Sequence, residues 1–227
     1  MAVLSDARIL EAIYDKKIQL TPFVYEHIQP SSIDLTLSAV IKKLKKEYEG
    51  RSINPLYPQD DWYEQIEASD YELQPNELVL GTLNEEIGLP TDIFGEIKNR
   101  TSLLRMGIDS AHNAIIQPGY KGKLTLPIKN LSSAAIKLAS GIRICQLVLH
   151  DVRPNAKNAY GSNADAKYYG ELGGKVSNIH LDRELIEYLK NNDGKELSDF
   201  LLNRLREKES FNFQSLTHEQ KKELGLI

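Results

Sequence analysis

The 227-residue chain has a single cysteine, Cys145. One thiol cannot build a disulfide framework or a cysteine-based zinc site, and it suits a reducing, intracellular setting. No apolar run approaches the ~18 residues that a membrane-spanning helix needs. The opening MAVLSDARIL lacks the basic start and apolar stretch of a secretory signal. Charge of one sign is not in excess: 28 Lys and Arg against 32 Asp and Glu leave −4. A protein that grips nucleic acid through a basic face is therefore not expected. The expected location is the cytoplasm, with neither membrane nor nucleic acid as partner. Several motifs are also missing: the G-x-x-x-x-G-K-[ST] loop, the G-x-G-x-x-G fingerprint, H-E-x-x-H, and the paired H-x-E and P-C-x-x-C of zinc deaminases. The five histidines (His27, His112, His150, His180 and His218) show no ligand spacing, so no protein-held metal, and no zinc, is expected.

What remains is ample for a core. Hydrophobic residues are 41% of the chain and there are 14 glycines, which fits one large domain or one domain with appendages. Residues 5 to 16 predict an amphipathic helix: Ser5 can cap it, Asp6 suits its positive end, and Ile9, Leu10 and Ile13 share a face. Ile33, Leu35, Leu37 and Ala39 alternate in a strand over 33–44. The lysines at 42, 43, 45 and 46, offset by Glu47 and Glu49, are expected to form a solvated face. Residues 50–70, rich in Asn, Pro, Asp and Tyr, predict an irregular stretch. Short strands then recur over 78–83, 93–98, 124–128, 135–138 and 142–152, with turn signals between them. That rhythm predicts a β barrel or sandwich. Residues 154–178 shift to Asn, Gly, Ala and Tyr and predict a mobile polar segment. Helices follow, one capped by Asp182, one carrying Leu197, Phe200, Leu201 and Leu205, and a short third opened by Thr217 and Gln220.

Three segments carry chemistry. Gln29-Pro30-Ser31-Ser32-Ile33-Asp34-Leu35 leads polar residues into an apolar strand. Arg100-Thr101-Ser102-Leu103-Leu104-Arg105 sets two hydroxyls between two arginines, and hydroxyls, backbone N–H groups and a guanidinium fork are what a phosphate chain needs. Residues 165–174, D-A-K-Y-Y-G-E-L-G-G, join a lysine and tyrosines to a glycine-rich stretch.

In this order, the segments resemble the dCTP deaminase/dUTPase family, dCTP deaminase-like branch. I-Q-P-S-S-I-D-L matches its first motif, N-R-T-S-L-L-R-M-G its G-R-S-S-L-x-R-x-G, A-I-I-Q-P-G-Y-K-G-K-L-T-L its base-reading hairpin, G-I-R-I-C-Q-L its G-M-x-I-x-Q-L, and D-A-K-Y-Y-G-E-L-G-G-K-V-S its C-terminal lid. The likeness runs over roughly residues 5–182. It implies a mainly β fold, a distorted antiparallel barrel over 1–178 with an N-terminal helix, followed by a helical extension over 179–227. It also implies a homotrimer whose sites lie between subunits and take a deoxypyrimidine triphosphate (dCTP, dUTP or dTTP), with Mg²⁺ carried on the phosphates. Residue by residue, Arg100, Thr101 and Ser102 match the phosphate loop and Arg105 the second arginine. Thr101 and Arg105 would position the attacking water and steady charge. Gly119 and Tyr120 match the hairpin, and Lys167 and Tyr168 the lid. Asp34 and Gln146 also match, with a structural role expected.

The departures fall on the reacting groups. The deaminase's glutamate falls on Pro127, which has no proton to move. Proline also removes a ladder N–H, so an edge or bulge is expected there. The dUTPase's aspartate falls on Gln117, an amide that cannot act as a base. The lid glutamine is Glu171, a carboxylate that would repel a triphosphate unless it turns away or meets a cation. Candidate replacement bases are Glu96, Asp109, His112 and Glu171, of which His112 is the most interesting because imidazole is a competent base near neutrality. Three readings stay open: an enzyme with a relocated base that deaminates dCTP or hydrolyses dUTP, a nucleotide-binding module that has lost turnover, and a scaffold whose tail docks a partner.

Overall fold

The computed structural model describes residues 2–111, 114–163, 165–191, 196–208 and 217–218. His112, and the third helix read from Thr217 and Gln220, lie outside the described residues except for Thr217 and His218. The chain forms two compact units, Met1–Ile179 and His180–Ile227. Among the described residues no helix is long and apolar enough to cross a membrane.

The first unit opens with α1, Asp6–Tyr14. The Ser5 hydroxyl accepts from the Arg8 N–H at 3.4 Å, and Ile9 and Ala12 are buried. The helix stops short of residue 16 because Asp15 caps it and Lys16 takes a left-handed conformation (φ 59°). Strands then dominate: β1 Gln19–Thr21, β2 Ile28–Gln29, β3 Ser32–Leu44, β4 Tyr63–Glu67, β5 Glu72–Leu73, β6 Leu78–Gly88, β7 Ile93–Asn99, β8 Ile108–Asp109, β9 Ile115–Ile116, β10 Lys121–Asn130, β11 Ile136–Lys137 and β12 Arg143–Asp151. The short helix α2, Thr101–Leu104, follows β7. One antiparallel sheet runs β8-β10-β6-β3-β12-β7-β9 and curls into a half-open barrel, while β5 and β11 form a separate pair.

The predicted alternation of β3 is its core side: Ile33, Leu35 and Leu37 are fully buried. The opposite face is buried too, but polar and satisfied. Asp34 accepts from Gln146 Nε2 and Arg143 Nη1, both at 3.0 Å. Thr36 donates through its hydroxyl to Glu85 Oε1 at 2.7 Å and through its N–H to Oε2 at 3.0 Å.

Two expectations need correction. Residues 50–70 are not wholly irregular, since Tyr63–Glu67 extend the sheet as β4 against the outer half of β3. Most of β4 is exposed, so no apolar alternation announces it. Residues 154–178 are not a loose segment either. Tyr160 N–H donates to Pro118 O at 2.8 Å, Gly174 N–H to Thr82 Oγ1 at 2.8 Å, and Val176 is buried. Backbone hydrogen bonds, which composition does not encode, hold it down. Pro127 meets its constraint: β6 flanks it through Leu80, while β8 joins the other edge of β10 only at Lys129 and Asn130.

The second unit contains α3, Arg183–Asn191, and α4, Leu197–Lys208. Tyr188 and Phe200 meet edge to face with centroids 5.4 Å apart, and Arg204 pairs with Glu187.

Leu37 packs against the backbone at Gly81, where even a methyl group would fall 2.8 Å from its Cδ1. Leu37→Ala should therefore cost about 2–5 kcal/mol. The check is urea unfolding, in which the midpoint falls while the slope is unchanged.

Candidate functional site

The site is built on the hairpin between β9 and β10. Its turn closes through Tyr120 N–H to Gln117 O at 3.1 Å. Gly119 holds φ +80° with Ala159 pressed against it, where a Cβ would sit 2.6 Å from the Ala159 Cβ. Gly122 matters more. A strap formed by residues 165–178 lies along the hairpin there, with Gly170 N–H donating to Lys121 O and Lys123 N–H to Glu171 O, each at 2.7 Å. A Cβ on Gly122 would come 2.9 Å from both the N and O of Glu171, so only glycine lets the strap dock.

Between hairpin and strap lies a cavity of about 330 Å³. Gln117, Tyr120, Thr125, Pro127, Tyr168 and Glu171 contribute to its walls, with Leu80 and Val176 as apolar surface. A smaller hollow of about 170 Å³ adjoins Gly119 and the other side of Tyr120. Glu171 is 5% exposed. Its carboxylate accepts from the Thr125 hydroxyl at 2.5 Å and from the Lys175 N–H at 3.3 Å. Burial pushes its pKa above the ordinary carboxylate range, against the opposing pull of those hydrogen bonds and of the Lys175 and Lys42 charges. Tyr120 is 4% exposed, and its hydroxyl has no hydrogen-bond partner among the described residues. Burial first, then the charge on Glu171, holds its pKa far above that of a free phenol.

The arginine-hydroxyl segment forms a separate place on the chain. Arg100 is anchored, its Nε 3.5 Å from Asp34 Oδ1 and its Nη1 donating to Arg143 O at 3.2 Å. Asp34 is 2% exposed and also holds Arg143, so one buried carboxylate fixes both guanidinium groups. Thr101, Ser102 and Arg105 are exposed on and just after α2. None of Arg100, Thr101, Ser102 and Arg105 lines the cavity, and neither does Lys167, whose carbonyl accepts from Asn178 Nδ2 at 3.2 Å. The structure therefore gathers Gln117, Tyr120, Pro127, Tyr168 and Glu171 at one cavity and leaves the arginine turn apart. Glu96 sits elsewhere, 2.9 Å from Lys98.

Thr125 and Lys175 were not among the sequence candidates. The signal for Thr125 was present, since residues two apart on a strand share a face and Thr125 precedes Pro127 by two. Lys175 stands in the lid-like segment D-A-K-Y-Y-G-E-L-G-G-K-V-S, but nothing local singles it out. Among the described residues no group of three or more His, Cys, Asp and Glu converges as a metal site.

The raised Glu171 pKa carries a sign for stability. The native state holds this proton more tightly than the unfolded chain, whose glutamate titrates near 4.3. Stability is thus full below that value and is lost as pH rises through the elevated native pKa. In Glu171→Gln the melting temperature should lose this dependence, so wild type minus variant falls as pH climbs from about 4. A flat difference across that range contradicts the assignment.

Comparison with known proteins matches this architecture. The dCTP deaminase-like family model covers residues 3–152. A dCTP deaminase, dUMP-forming, of Tropheryma whipplei strain Twist is 34% identical over 183 residues, 78% of this chain and 93% of the relative. A dCTP deaminase of Halorubrum lacusprofundi is 32% identical over 193 residues, 80% of this chain and 93% of the relative. The crystal structure of a 2′-deoxycytidine 5′-triphosphate deaminase from Agrobacterium tumefaciens shares the fold, with a TM-score of 0.53 at 22% identity over 65% of this chain. The match spans about half of that larger chain, 47%. On the family model and these relatives, the chain belongs to the dCTP deaminase-like family.

Proposed function

We propose that this protein binds a deoxypyrimidine triphosphate and deaminates dCTP hydrolytically to dUTP and ammonia, in pyrimidine deoxynucleotide metabolism. The observation that carries the reading is the cavity enclosed by hairpin and strap, the two segments that resemble the family's base-reading and lid motifs. Its volume of about 330 Å³ lies in the range of small-molecule pockets, roughly 300–1,000 Å³, and its walls mix apolar surface with a few polar groups. The Tropheryma and Halorubrum relatives, both named as dCTP deaminases, align over 93% of their own lengths, which supports the same substrate here. Since Gln117 cannot activate water for phosphate attack, dUTP rather than dUMP is the product in this reading.

The base sits in the cavity, and the phosphates are held by Arg100, Thr101, Ser102 and Arg105. Those groups stand apart from the cavity on one chain, which supports a homotrimer that brings one protomer's arginine turn to its neighbour's hairpin. Leu104, Met106, Ile115 and Leu131 are exposed, and Leu131 N–H bonds Gly107 O at 2.7 Å, beside the same turn. Such exposed apolar side chains suit a subunit contact. Mg²⁺ enters on the triphosphate as part of the substrate. A second reading, binding without turnover, draws on Pro127, which puts no acid at the family's glutamate position.

The test follows binding and products separately. Calorimetry with dCTP, dUTP and dTTP, each with Mg²⁺, should show saturable binding, and chromatography should show dUTP from dCTP alone. Loss of one charged hydrogen-bonding group is worth about 1.5–3 kcal/mol, so Arg105→Ala should weaken dCTP binding by about 10- to 150-fold. Sedimentation should give a trimer, and Met106→Glu should dissociate it with loss of binding. A monomer that binds dCTP fully would sink the shared-site arrangement, and binding without product would favour the second reading.

A further inference from the structure

The cavity lacks an acid on the hairpin strand but does not lack one altogether. Among the described residues that line it, Glu171 is the one carboxylate. The other titratable groups on its walls are Tyr120, Tyr160, Tyr168 and Lys175.

We propose that Glu171 is the proton carrier of the hydrolytic step, a catalytic carboxylate delivered to the cavity by the strap instead of by β10. The inference rests on the reading of this cavity as the base pocket. Its geometric support is the Thr125 contact. Thr125 and Pro127 project from the same face of β10, one strand repeat (about 6.8 Å) apart. The Thr125 hydroxyl holds Glu171 Oε1 at 2.5 Å, so the carboxylate hangs over the strand face that Pro127 shares. The Gly122–Glu171 bridge and the Lys175 N–H fix it from behind. Tyr120, buried and with its hydroxyl unpartnered among the described residues, adds a polar group that a base or a water molecule could satisfy.

The step balances without any further reactant. Glu171 accepts a proton as the water oxygen bonds to C4. The C4=N3 π pair moves to N3, which takes that proton from Glu171. The second proton of the bound hydroxyl passes through Glu171 to the exocyclic amine. The C4–N bond then breaks, ammonia leaves, and C4=O forms, so dCTP and water give dUTP and ammonia. Besides burial, the groups that set the protonation of Glu171 are Thr125 on β10, Lys175 on the strap and Lys42 on β3, while Tyr120 in the hairpin faces it and feels its charge. Burial outweighs them, so the carboxyl exchanges its proton closer to neutrality than an exposed glutamate would.

The experiment uses the full chain with dCTP and Mg²⁺, reading affinity by calorimetry, ammonia and dUTP by product assay, and folding by thermal melting. In Glu171→Gln the amide still accepts from Thr125, so affinity should stay within a few-fold while kcat drops about 10²–10⁴-fold. Thr125→Val keeps the carboxylate but removes a donor to its ionised form, so the rising limb of kcat against pH should move to higher pH. Unchanged turnover in Glu171→Gln overturns the proposal. So does wild-type protein that binds dCTP and releases no ammonia, although the binding reading then survives. Absence of both binding and product overturns both. Should Glu171→Gln fail to fold, an unshifted limb in folded Thr125→Val overturns the proposal on its own.

Discussion

The docking of the strap on Gly122 is the contact on which the candidate site depends. Two main-chain hydrogen bonds of 2.7 Å, one on each side of Gly122, zip residues 170–171 to the hairpin. Together with the Gly174–Thr82 and Thr125–Glu171 bonds, they set Glu171 into the cavity wall. The contact is conformational before it is chemical. Gly122 at φ +150° leaves room for a peptide 2.9 Å from where a Cβ would lie, and any larger residue would hold the strap away. The polar cavity therefore rests on one missing side chain.

A different carboxylate organises the other half of the molecule. Asp34, buried at the centre of the sheet, takes hydrogen bonds from Gln146 and Arg143 and lies 3.5 Å from Arg100. It is paired with cations and stays structural, fixing where the arginine turn begins. Among the described residues Glu171 has no such guanidinium partner. Both are buried acids, but the surroundings separate them: one holds the frame, the other sits in a space large enough for a ligand.

Legibility in the sequence follows from range. The helix cap at Ser5 and the alternation of Ile33, Leu35 and Leu37 are local patterns, and the structure keeps both. The edge at Pro127 was legible for a similar reason, because a residue without an N–H restricts its own strand. β4 was hidden because both its faces are largely exposed, leaving no period to read. The strap was misread because its composition is polar while its order comes from backbone hydrogen bonds to the hairpin. The Thr125–Glu171 contact joins residues 46 apart, and no spacing rule connects them. Motif resemblance names candidate segments, but only the fold shows which of them meet at the cavity.

That contact also bears on why an acid stands at residue 171. A glutamine could accept the same Thr125 hydrogen bond without the cost of desolvating a charge, which amounts to several kcal/mol for a buried ion. The Lys175 and Lys42 charges favour the carboxylate, but burial outweighs them, and the raised pKa is the signature of that cost. What the acid adds is an exchangeable proton, held beside the strand face where Pro127 has none. Under the proposal made above, a strap-borne proton carrier would tie chemistry to docking, since the main-chain bonds beside Gly122 are what set Glu171 against the hairpin.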